Sequence, residues 1–132
     1  MKASLLIVLC AIAFGCHVGE RVEDFKVAHE PTGTSAEVIV ASGTIMRAEL
    51  LAVSDSNIVV LWSGTVIDVP YGHTKLVSIE TPNIRLEHGA HPSADQLERL
   101  RLISRFPQGM SPELQARLLA AYHQNAIGSV NQ

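Results

Sequence analysis

The chain has 132 residues, with 10 Lys and Arg against 13 Asp and Glu and a formal net charge of −3 when the histidines are neutral. That length supports one small domain with a modest core and leaves a second core cramped, while the acidic balance argues against the basic stripe that a nucleic-acid surface normally carries. Of its two cysteines, Cys10 lies in an N-terminal apolar run, so the folded domain has to be held by its core and not by disulfides.

The first sixteen residues carry the clearest signal. Lys2 supplies a positive start, Leu5 to Phe14 an apolar run, and small Ala13 and Gly15 lie just before Cys16. Together they read as an export signal over residues 1–15. The run is too short to cross a bilayer, which takes about 20 helical residues, and nothing later in the chain is long enough either. Two processing readings stand side by side. Ala11-Ile12-Ala13 fits the small-x-small pattern of ordinary signal peptidase. Ala13-Phe14-Gly15-Cys16 resembles the lipobox of bacterial lipoproteins in Gly15 and Cys16, and departs from it at Ala13 and Phe14. The second resemblance implies acylation of Cys16 and a membrane contact through that lipid. It also accounts for a lone cysteine in an exported chain; under the first reading Cys16 is an incidental thiol. Starting at Cys16, 117 residues remain, with 9 basic and 13 acidic side chains and a charge of −4, an ordinary balance for solubility that points to no particular partner.

Residues 16–35 are polar, acidic and punctuated by Gly19, Pro31 and Gly33, and are expected to form a flexible tether. Random-coil scaling gives such a segment a span of about 25 Å. The competing reading packs Val22 to Val27 on the domain as a short strand or turn.

A β-rich block follows over residues 36–86. The expected strands are Glu37 to Ala41, Thr44 to Ser54, Ile58 to Trp62, Thr65 to Val69 and Leu76 to Glu80. Asp55-Ser56-Asn57 supplies a polar turn and Ser63-Gly64 a two-residue hairpin turn. Five short strands with a long second one predict a small SH3-like or Sm-like barrel, whose closure removes exposed edges. The block resembles Sm-like folds in its Val-rich first strand, Gly43 at the first turn, Ala48-Glu49-Leu50 and Asn57 to Leu61. It has Ala48 where that family has a mid-strand glycine, its Asp55 and Asn57 are out of register with the family's RNA pocket, and no Arg-Gly follows Val77. The resemblance therefore implies a fold and counts against RNA binding. Joined to an export signal, such a block also resembles small envelope lipoproteins.

Beyond Thr81-Pro82 the spacing turns helical. Ser93 with Gln96 has capping-box spacing, and Leu97, Leu100, Ile103 and Phe106 recur at helical intervals before Pro107 and Gly109. Ser111 and Pro112 start a second helix with Glu113 in its first turn and Leu114, Leu118, Ala121 and Tyr122 on one face. The class is thus mainly β with α, a barrel followed by a helical hairpin over residues 93–125 and a tail over 126–132. The apolar faces of the hairpin pack on the barrel, on each other or on a partner.

Motifs for chemistry are few. His88 and His91 flank Gly89-Ala90 in a strand-to-helix loop, a pair that makes a metal site only if His29 or His73 completes it. Solvated loop histidines are the competing reading. The chain has no Gly-x-Ser-x-Gly elbow, no Ser-x-x-Lys and no glycine-rich phosphate loop, so neither hydrolase nor nucleotide chemistry has support. Trp62 and Tyr71 are the aromatic candidates for a ligand groove, with core packing as the alternative. Arg99, Arg101 and Arg105 make one helix face partly basic, offset by Asp95 and Glu98. The expectation is a non-enzymatic binding or structural module of the bacterial envelope, lipid-anchored at Cys16, with an envelope protein or cell-wall partner, no cofactor and no nucleic acid. The alternatives are a soluble periplasmic or secreted cell-wall binder using Trp62 and Tyr71, and a small metal enzyme using the loop histidines.

Overall fold

The computed structural model describes residues 32–80 and 82–130; the export signal, Cys16, His29 and most of the expected tether lie outside them. Among the described residues, β1 (Ser35–Val40), β2 (Ile45–Val53), β3 (Asn57–Trp62) and β4 (Thr65–Pro70) form an antiparallel meander. A single 3-10 turn, Tyr71–His73, leads into β5 (Thr74–Ile79), which returns to pair with β1, and β6 (Ile84–Glu87) folds back on β5. Two helices follow, α1 (Ala94–Ile103) and α2 (Pro112–Ala121), and β7 (Gly128–Ser129) lies parallel to β4.

The protein is therefore mainly β with two helices, but the sheet differs from the expected five-stranded barrel. Among the described residues it has seven strands in the order β6-β5-β1-β2-β3-β4-β7, and β6 and β7 remain as edges because no pairing between described strands closes it. Two strands escaped the sequence reading for physical reasons. In β6 only Ile84 and Leu86 point inward, too short an alternation to stand out. The Gly-Ser of β7 carries no apolar signal, and it pairs because the chain beyond α2 passes beside β4.

Local chemistry explains the elements that matter for the site. Ser63 and Gly64 both take left-handed backbone, with φ of 50° and 76°, the requirement of a two-residue turn that matches strand twist. In β2 the pairing shifts from Leu50↔Val60 to Ala52↔Val59, leaving Leu51 as an extra residue. Leu50 and Leu51 point to opposite faces, as successive strand residues do, and both are fully buried; the bulge resets the alternation beyond them, so that Leu50 and Val53, three residues apart, share the main core. Leu50 joins Ile58, Val60 and Val69 in the main core; Leu51 joins Val66 in a second one, against which Val59 and Leu61 are half-buried.

That second core corrects the helical hairpin. The buried residue of α1, Leu100, belongs to the main core, with Leu97 and Ile103 against it. The buried residues of α2, Leu118 and Leu119, belong to the second core, with Met110 and Tyr122. The helices cover opposite faces of β2, β3 and β4 instead of burying their apolar stripes in each other. Their caps are as expected: Ser93 and Gln96 make a reciprocal capping box, and Ser111 accepts from the Leu114 amide.

The chain crosses between the faces where β1 begins. There Thr34 accepts from the Leu50 amide, while the amides of Arg105 and Phe106 donate to the carbonyls of Leu50 and Leu51 at 3.0 and 2.9 Å. Glu49 locks the crossing: it receives Arg105 through two bonds of 2.8 and 2.7 Å and the Gly33 amide at 2.6 Å. A Cβ on Gly33 would lie 1.9 Å from the Leu50 carbonyl oxygen, so only glycine fits. The last residues of the expected tether, Gly33 to Ser35, are thus held by the domain.

Candidate functional site

The face of the sheet that carries α2 is only partly covered by it. Beside the helix a groove of about 430 Å³ opens between β3, β4, β7 and the segment leading into α2, a volume within the usual ligand-site range of about 300–1,000 Å³. Ala52, Val59, Met110 and Ile127 give it apolar walls, and Ser54, Asn57, Asp68, Gln115 and Ser129 are its polar groups. The sheet register places two of these together. Asn57 lies opposite Pro70 and Asp68 opposite Val59, so Asn57 and Asp68 are diagonal neighbours on one face, within reach of each other.

Three of these polar groups are linked. The Ser54 hydroxyl donates to Asn57 Oδ1, and the Asn57 amide donates to Asp68 Oδ1. This relay fixes the carboxylate by one oxygen. Its second oxygen, Oδ2, accepts no hydrogen bond from a described residue, and no described cationic side chain pairs with Asp68. A hollow of about 520 Å³ against β1, β2 and β5 contrasts with this, because its Glu37 carboxylate is already paired with Arg47 at 3.4 Å.

A second cluster forms at the end of the sheet near Tyr71. Its amide donates to Ser56 O at 3.0 Å, and its hydroxyl reaches Ser54 O at 3.4 Å. His91 meets the Tyr71 ring edge to face at 5.7 Å and contacts the Asp55 carbonyl through Nδ1 at 3.3 Å, while Arg101 pairs with the Asp55 carboxylate at 3.0 Å. Burial pushes the Tyr71 phenol up to about 12, with the Arg101 charge working in the opposite direction. The cluster ties the β2–β3 turn, the 3-10 turn, the loop before α1 and α1 itself together around a neutral phenol.

The residues singled out from sequence are distributed as follows. Tyr71 is fully buried and Trp62 is half-buried against the main core, so the pair forms no shared exposed aromatic face. His88 and His91 are both exposed, but they serve different partners. His88 occupies a left-handed turn position, φ 52°, with its amide on Lys75 O, whereas His91 is engaged by Tyr71 and Asp55. Among the described residues no three His, Cys, Asp or Glu side chains converge as a metal set, and no helix is long and apolar enough to cross a membrane.

Sequence reasoning missed the groove. Asn57 reads as a turn residue, Asp68 as the polar member of an alternating strand and Met110 as part of a helix linker. The one available signal was Asp68 itself, a carboxylate inside an otherwise apolar strand. The chain matches no protein-family profile, no curated protein and no solved structure.

Proposed function

We propose that the protein is an exported, lipid-anchored, non-enzymatic binding module of the bacterial cell envelope, which meets its partner through the groove beside α2. The observation that carries the anchor is the N-terminal pattern, Lys2, an apolar run and Gly15-Cys16. The groove supports the binding reading because it combines apolar walls with a few fixed polar groups, the usual make-up of a recognition site. We relate the β5-β1-β2-β3-β4 part of the sheet to small SH3-like barrels, on the strength of its strand order, with β6 and β7 as additions at the two edges.

Metabolic labelling tests the anchor. Expressed in a bacterium supplied with labelled palmitate, the protein is expected to take up label and to sediment with membranes, and Cys16→Ala to lose both. An unlabelled wild-type chain in the soluble fraction would contradict the proposal.

A further inference from the structure

Asp68 combines features that together select a ligand. It sits half-buried in a groove with apolar walls, no described cation neutralises it, and the Ser54–Asn57 relay holds one oxygen in place. A carboxylate in such surroundings is partly desolvated and gains from an incoming cation, and a charge-assisted hydrogen bond is about twice as strong as a neutral one. The cation must also carry an apolar stem, to cover Val59, Met110 and Ile127. Arginine is the weaker match, because its planar fork is best satisfied by two freely oriented carboxylate oxygens and Oδ1 already accepts from the Asn57 side chain. A lysine ammonium is a compact charge that one free oxygen suits.

The walls indicate how such a side chain arrives. Gly109 lines the groove with open space where a side chain would stand, which lets another backbone approach closely. Gly128 belongs to β7, the last strand of the described sheet, whose outer edge faces no further strand. Edge groups of that kind accept an extended chain.

We propose that the groove receives a lysine side chain from an extended segment of a partner polypeptide, the ammonium on Asp68 Oδ2 and the stem along Val59, Met110 and Ile127. This rests on reading the groove as the recognition surface of the module.

The test is an amide NMR titration of the full chain in detergent micelles with three probes: acetyl-lysine methylamide, the norleucine equivalent that lacks the ammonium, and n-pentylammonium. The lysine probe is expected to shift amides around Asn57, Asp68 and Met110 saturably, with affinity about tenfold above the norleucine probe. In Asp68→Asn, which keeps an oxygen for the Asn57 bond, that advantage is expected to vanish. The comparison of probes on the wild-type chain stands whether or not the variant folds. Equal binding of the lysine and norleucine probes, or an advantage that survives in a folded Asp68→Asn, would overturn the cation and leave the groove as a binding surface. Pentylammonium binding as tightly as the lysine probe would overturn the polypeptide source. No shift with any probe would overturn both this inference and the reading on which it rests.

Discussion

Glu49 and Arg105 form the ion pair with most structural consequence, because they join the start of β1, the middle of β2 and the segment beyond α1. Both are largely shielded from solvent, at 20 and 18% side-chain exposure, and Glu49 also holds the Gly33 amide. Removing one partner strands the other, a cost that exceeds the worth of an exposed pair. Arg105→Ala is expected to lower stability by about 2 kcal/mol, seen as a shifted urea midpoint at unchanged slope; a loss indistinguishable from that of Arg47→Ala, whose side chain is 83% exposed, would contradict this. Tyr71 gives a second residue-level expectation. Its phenol moves from the ordinary 10.0 up to about 12 because burial disfavours the phenolate, so folding favours the protonated form. The associated stability is complete below pH 10 and is lost as pH rises through 12. The thermal midpoint of the wild-type chain is expected to fall over that interval more steeply than that of Tyr71→Phe, and parallel curves would show that the phenol is not responsible.

The elements are legible in sequence where their signal is local. Alternation reveals β1 to β5, Ser63-Gly64 reveals the hairpin, and Ser93 and Ser111 mark both helix starts. What stayed hidden depends on chain paths. Leu50 to Val53 is an unbroken apolar run, and only the shift against β3 shows that the alternation resets within it, placing Leu50 and Val53 in the same core. The β4 edge is another case. Gln124 accepts from the Val66 amide at 2.7 Å and donates to the Val66 carbonyl at 3.2 Å, so its carboxamide acts as a strand residue just before β7 takes over at Ile67 and Asp68. Gln124→Ala is expected to cost about 1 kcal/mol and to raise the tendency to associate, since an uncovered edge templates pairing. Light scattering during heating reads the second effect; an unchanged profile would show that β7 alone protects the edge. The groove was illegible for the same reason, because Asn57, Asp68, Met110 and Ile127 are brought together by the sheet register and by the return of the chain after α2.

At the scale of the whole molecule, two helices on opposite faces of one sheet give it two cores joined through β2, β3 and β4. Leu100→Ala and Leu118→Ala are each expected to cost about 2–4 kcal/mol, and the double variant to cost their sum within about 0.5 kcal/mol, as sites without shared partners do. A coupling well above that would mean that the helices pack on each other. This arrangement leaves a carboxylate-bearing groove beside α2, and the tie at Gly33 fixes where the N-terminal segment leaves the domain. The proposed lipid anchor lies in the residues before the domain, and Cys16 decides whether it exists. The most direct test is the intact mass of the protein recovered from bacterial membranes. The expected result is a chain that begins at Cys16 and carries a diacylglyceryl group and an amide-linked acyl chain, with that addition lost in Cys16→Ala. An unmodified soluble chain that begins at Phe14 would contradict it.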